Sequence, residues 1–223
     1  MSRMPFITFE GTEGCGKSTQ VQRLAARLDR LKIKFLVTRE PGGTPIGETI
    51  RHLLQFAPQG TGMTPVTELL LFEASRSQLV REVIEPARAR GVCVISDRFF
   101  DSTTVYQGAA RQLDTATVAQ LNRVAVGDCL PDLTFVLDVD AATAHARMQK
   151  PRKHDRMEQE PAEFYERVRQ AYRDLAATEP RRVVLVNGAR AADEIETEIW
   201  ETVAARFPAV AGKSKIEKRK SEI

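Results

Sequence analysis

The chain has 223 residues, 42% of them hydrophobic, a length and balance that suit a single α/β domain with a well-buried core. Its longest apolar runs, such as Val183–Val186, fall far short of the roughly 18 residues of a spanning helix, and no signal-peptide pattern precedes the first strand-like run, so neither a membrane nor secretion is expected. The net charge of +3 does not mark a nucleic-acid binder, because residues 211–223 hold five basic and two acidic side chains and leave 28 of each sign in the remainder.

The first strand-like run, 5–10, leads into Gly11-Thr12-Glu13-Gly14-Cys15-Gly16-Lys17-Ser18, a complete G-x-x-x-x-G-K-[ST] phosphate-binding loop. Its glycines let the backbone curl until successive N–H groups face inward on phosphate oxygens, and the following helix adds its positive end. Lys17 would reach the β- and γ-phosphates and Ser18 would place its hydroxyl on Mg²⁺. Val21, Leu24, Ala25 and Leu28 follow at helical spacing, as the motif requires. A dinucleotide fingerprint is ruled out by Thr19, which stands where a third glycine belongs.

Further strand-like runs at 33–38, 92–96, 132–138 and 182–186 alternate with helical stretches, among them 66–90, 114–127 and 161–178, and Pro86 is expected to kink or end the first of these. Such alternation predicts a parallel sheet covered on both faces. Val94-Ile95-Ser96-Asp97 sets a carboxylate at the C-terminal edge of a central strand, where open α/β sheets bind ligands, so Asp97 would hold Mg²⁺ opposite Ser18. Gln149–Arg156, basic and broken by Pro151, reads as a mobile loop, and the polar end 208–223 as a disordered tail. Cys15, Cys93 and Cys129 are odd in number and far apart, which suits a reducing cytoplasm and neither disulfides nor zinc.

Six blocks then resemble the thymidylate kinase family in order and spacing: Phe9–Ser18, Thr38-Arg-Glu-Pro-Gly-Gly-Thr44, Leu71-Phe-Glu-Ala-Ser-Arg76, Asp97-Arg98, Tyr106-Gln-Gly108 and Pro131-Asp-Leu-Thr134. The resemblance spans the chain to about residue 207 and implies one phosphate-loop kinase domain with a five-stranded parallel sheet. The activity it implies is transfer of the γ-phosphoryl group of ATP to dTMP. It further implies that residues 11–19 cradle ATP, including Cys15 as a small loop residue and Thr19 beside Ser18. Phe72 would stack on thymine and Arg76 would bond a base carbonyl, with Thr103 and Gln107 near the base edge. Arg51 and Arg98 would grip the acceptor phosphate, assisted by Arg39. Glu13 would meet the sugar 3′-hydroxyl, and Tyr106 would pack beside the 2′ carbon.

The loop 149–158, with Lys150, Arg152, Lys153 and Arg156, resembles the lids of family members that carry catalytic arginine there, since the phosphate loop itself has none. Arg152 and Arg156 are therefore the candidate lid catalysts. A homodimer packed through helices that include 66–84 is also implied. Two positions depart from the family pattern: Phe99 replaces the usual Tyr, and 102–106 is richer in Thr, which bears on the base contact of Thr103. No general base is needed for an anionic phosphate nucleophile, so His52, His145 and His154 carry no catalytic expectation. Two alternatives stay open: another small-molecule or monophosphate kinase with the same loop, and a nucleotide switch, which lacks the Asn-Lys-x-Asp guanine pattern.

Overall fold

Short apolar runs that are buried on both sides need helices over each face of a parallel sheet, and the computed structural model, which describes residues 4–57, 60, 62–148 and 160–211, has that arrangement. Strands β1 (Phe6–Glu10), β2 (Phe35–Arg39), β3 (Cys93–Asp97), β4 (Leu133–Asp138) and β5 (Val183–Asn187) pair in parallel in the order β2-β3-β1-β4-β5. Alternation along β1 divides the core. Ile7 and Phe9 pack with Val21, Leu24 and Leu28 of α1 (Lys17–Arg30) and with Ile195, Ile199 and Val203 of the last long helix, α9 (Ala192–Arg206). Phe6 faces the other way, into a cluster with Leu79, Val80, Ile84 and Phe99.

Register is what brings the candidate residues together. Phe9 of β1 lies opposite Asp97 of β3, and Arg39 of β2 lies opposite the same Asp97, so three neighbouring strands end in one row. The loops that leave this row, after β1, β2 and β3, carry Gly11–Ser18, Glu40–Thr44 and Arg98–Thr103 to one edge of the sheet.

The helical stretch over 66–90 is distorted ahead of Pro86 and does not end there: α3 (Pro65–Leu79) passes through a widened π turn at Val80–Ile84 into α4 (Glu85–Ala89), which contains the proline. The N–H of Glu85 bonds the carbonyl of Val80 five residues back, a wider spacing that loosens the ladder just before the residue with no N–H to give. A second π segment, Thr104–Ala110, follows α5 (Phe100–Thr103). The packed body also continues past residue 207, because the chain forms one more helical turn and Val210 is fully buried in the main core. Residues 212–223 of the expected tail lie outside the described residues.

Val210→Ala should therefore cost about 2 kcal/mol of stability. In a chain of this size that corresponds to a melting temperature about 4–8 °C lower by calorimetry, whereas deletion of 212–223 should leave the transition within a degree or two.

Candidate active site

The phosphate loop leaves β1 at Gly11 with φ +131°, where an added Cβ would sit 2.5 Å from the Leu137 carbonyl oxygen, so only glycine fits. Gly14 and Gly16 also have positive φ, and Gly16 is the N-cap of α1. Lys17, at the first turn of that helix, folds its ammonium back onto its own loop, donating to the Gly11 and Thr12 carbonyls at 3.0 and 2.8 Å and lying 3.5 Å from Cys15 Sγ. Cys15 itself is buried as a small packing residue. Ser18 Oγ donates to Asp97 Oδ2 at 2.6 Å, so the end of β3 and the start of α1 meet as the two motifs required, with Thr19 exposed next to them.

Across from this loop, the chain turns sharply after β3. Arg98 has φ +72°, a left-handed conformation that costs a non-glycine residue on the order of 1–2 kcal/mol. The turn is held by Glu10, the last residue of β1, whose carboxylate accepts from the Phe99 N–H at 2.7 Å, the Ser102 hydroxyl at 2.5 Å and the Tyr172 hydroxyl at 2.8 Å. Tyr172 comes from α8 (Ala162–Thr178). Burial, and then the neighbouring Asp101, push the Glu10 carboxyl up to about 7 although Arg98 and the two hydroxyls pull it down.

Arg98 projects from this turn toward the loop. It donates to Glu13 Oε1 at 2.6 Å and to the Gly11 carbonyl at 3.0 Å, and it lies over the Tyr106 ring. Tyr106 donates to the other Glu13 oxygen at 3.0 Å. Burial alone would raise the Glu13 carboxyl, but Arg98 and then Lys17 outweigh it and hold the group below the usual carboxylate range.

These residues line one cavity of about 290 Å³. Its lining joins Glu13, Lys17 and Ser18 of the phosphate loop and helix start, Asp97 and Arg98 at the end of β3, the cations Arg39 and Arg51, and Phe72, Thr103, Tyr106 and Gln107. Arg39 is meanwhile paired with both Glu48 oxygens, and Arg51 donates to the Pro41 carbonyl at 3.0 Å. Phe72 is a half-buried ring on α3, suitably placed to cover a planar group.

Arg76 differs from its expected place. It does not line this cavity but is 1% exposed beneath it. Its five N–H groups go to Glu40 (twice), Glu73, Asn122 and Thr103, which leaves none for a base carbonyl while this arrangement lasts. The spacing Phe72…Arg76 does put both on one helix, yet the carboxylate that claims Arg76, Glu40, is 36 residues away in sequence and could not be read from α3 alone. Phe99 also lies outside the cavity: its ring packs edge-on to Phe6 at 4.9 Å, so the hydroxyl it lacks would have been in the core.

Sequence reasoning missed Glu10, Glu40 and Ser102, which hold or line the site through long-range bonds. It also missed Arg147, whose guanidinium ties the Cys15 carbonyl of the phosphate loop to Gly188 after β5. Lys150, Arg152, Lys153 and Arg156 of the expected lid, and His154, lie outside the described residues. His52 and His145 are exposed and do not line the cavity.

A phosphate loop on the central strand of a five-stranded parallel sheet, with a cationic cavity beside it, defines a phosphate-loop kinase of the type that phosphorylates small molecules. The comparisons narrow the class. The family model described as thymidylate kinase matches residues 9–199. The thymidylate kinase of Afipia carboxidovorans is 48% identical over 91% of this chain and 90% of its own, and that of Deinococcus radiodurans is 44% identical over 92% and 99%. The crystal structure of thymidylate kinase from Ehrlichia chaffeensis superposes with a TM-score of 0.73 at 34% identity, covering 90% of this chain and 98% of that one. The chain belongs to the thymidylate kinase family.

The Glu10 environment has a pH signature. Its folded-state pKa of about 7 lies above the 4.5 of an unperturbed glutamate, so the folded state binds this proton more tightly. The proton's stabilising effect is complete below about 4.5 and is lost as pH rises through 7, an effect of up to about 3 kcal/mol. Urea unfolding at pH 5 and pH 8 should show a smaller stability loss in Glu10→Gln than in the parent chain. An equal loss in both would contradict this account of Glu10.

Proposed function

We propose that the chain transfers the γ-phosphoryl group of ATP to the phosphate of dTMP, giving dTDP and ADP. The observation that carries this reading is a cavity lined both by the phosphate loop and Arg98 and by an aromatic ring, Phe72, with the polar side chains of Thr103 and Gln107. A nucleotide monophosphate spans such a cavity with its phosphate toward Lys17 and its base against Phe72.

An oxygen of the dTMP phosphate attacks the γ-phosphorus in line, and the bond to the β-bridging oxygen breaks as ADP leaves. Because the nucleophile is already anionic, catalysis reduces to alignment and neutralisation of charge. Lys17 exchanges its loop carbonyls for the β- and γ-phosphates, a favourable trade of neutral for anionic partners. The Arg98 guanidinium, whose planar fork suits two phosphate oxygens, bridges acceptor and donor, with Arg51 and Arg39 behind the acceptor phosphate. Glu13 and Tyr106 bound the sugar, and Thr103 and Gln107 face the base edge. Arg152 and Arg156, which lie outside the described residues, are the expected source of further positive charge for the transfer.

The donor set at Ser18 and Asp97, one hydroxyl and one carboxylate already in contact on the rim, suits Mg²⁺, which takes few protein ligands and keeps waters and phosphate oxygens for the rest. When bound there it would screen the triphosphate's negative charge. A homodimer is part of the same proposal: Val66 and Leu70 lie one turn apart on α3 and are exposed, as is Val124 of α6 (Thr115–Val126), which packs beside α3. Use of ATP and three cysteines free of disulfides fit a cytoplasmic enzyme.

An acceptor profile tests the reading. With ATP and Mg²⁺ held constant, dTMP should give the highest kcat/KM among dTMP, dUMP, dCMP, dGMP, UMP and AMP. Loss of the methyl contact is worth about 1–3 kcal/mol, so dUMP should remain a measurable, poorer substrate. Higher activity with AMP or dCMP would replace this reading by that of a different monophosphate kinase.

A further inference from the structure

One side chain that lines the cavity has its hydrogen-bond direction set from behind by a buried carboxylate. Gln107 is 1% exposed yet lines the cavity, and its Nε2 donates to Glu68 Oε1 at 2.8 Å. Glu68 does not line the cavity; it is 1% exposed on α3 and is also bonded through both of its oxygens by Arg111. A carboxylate only accepts, so it fixes which end of the Gln107 amide faces it. The nitrogen is turned to Glu68, and the carbonyl oxygen Oε1, which accepts no hydrogen bond among the described residues, is left for the cavity. Thr103 is not fixed in this way: its Oγ1 accepts from Arg76 at 3.0 Å and keeps both its proton and a second lone pair, so the hydroxyl can pair with the base edge in either sense.

We propose that Glu68, through the orientation it imposes on Gln107, is a specificity-determining positioning residue that selects a pyrimidine carrying an N3–H. The inference rests on the dTMP reading of the cavity and deepens it. The edge presents one acceptor of fixed sense, Gln107 Oε1. Thymine supplies a donor at N3, which matches it. Cytosine supplies an acceptor at N3, which opposes it. Two facing acceptors in a buried site discriminate more strongly than a lost methyl contact. Selection thus comes from a residue that touches no substrate and that sits four positions before Phe72 on the same helix.

The amide of a glutamine at position 68 could present either its oxygen or its nitrogen to Gln107, which frees Gln107 to rotate. The test compares dTMP with 5-methyl-dCMP, which keeps the methyl group and reverses only the hydrogen-bond pattern. Glu68→Gln should reduce the ratio of kcat/KM for dTMP over 5-methyl-dCMP by about tenfold or more, chiefly through KM for each acceptor. The exchange variant Glu68→Gln with Gln107→Glu restores one donor behind and one acceptor in front, so it should recover most of the parent's preference. Recovery in the exchange variant supports the proposal even if the single variant folds poorly, since general loss of packing would not be repaired by a second substitution of this kind. An unchanged ratio in folded Glu68→Gln, or an exchange variant as unselective as the single one, overturns it. Failure of the parent chain to phosphorylate dTMP at all would instead overturn the functional reading, so the two failures are distinguishable.

Discussion

The carboxylate of Glu10 is the constraint on which the site depends. A fully buried carboxylate is costly unless its oxygens are occupied, and here the Phe99 N–H, the Ser102 hydroxyl and the Tyr172 hydroxyl occupy them. These bonds tie β1 to the turn after β3 and to α8, and they hold Arg98 in a backbone conformation that a non-glycine residue does not adopt unaided. Arg98 in turn meets Glu13 in the phosphate loop. The arrangement thus positions a cation against the loop before any substrate arrives, which is the condition for stabilising charge without reorganisation.

The same device recurs further into the cavity. Glu40 and Glu73 occupy the Arg76 guanidinium, Arg76 donates to Thr103, and Glu68 orients Gln107. Each buried charge has a partner, and each partner faces or supports the space where a ligand would lie. Asp101 does similar work away from the cavity, where it is joined to Arg182 and Thr134 at the sheet. Breaking any of these pairs would strand a buried charge.

Much of this was legible in the sequence because its determinants are local. The octapeptide Gly11–Ser18 states a backbone path and a chemistry in contiguous residues, and the apolar runs at each strand specify burial on both faces without reference to partners. Asp97 was legible because it ends such a run. The placement of Arg76 was hidden for the opposite reason: its position on α3 is local, but its lying beneath the cavity in this arrangement is set by Glu40, which another loop delivers. Glu10 reads as an unremarkable strand end until β3 and α8 are packed against it. The continuation to Val210 was hidden because a single apolar residue after Pro208 has no periodicity, and the passage through Pro86 because a widened turn leaves no trace in spacing. Apart from the local turn ahead of Pro86, what the sequence could not convey was a pairing between residues far apart in the chain.

On the proposed function, Arg98, held in place by this framework, acts on the acceptor phosphate. The most direct measurement is the steady-state kinetics of Arg98→Ala with dTMP varied at saturating ATP, alongside its thermal melting curve. A folded Arg98→Ala should lose about 10²–10³ in kcat/KM for dTMP, the scale on which removal of one preorganised charge contact is felt. A folded variant with kcat/KM near that of the parent would contradict the account.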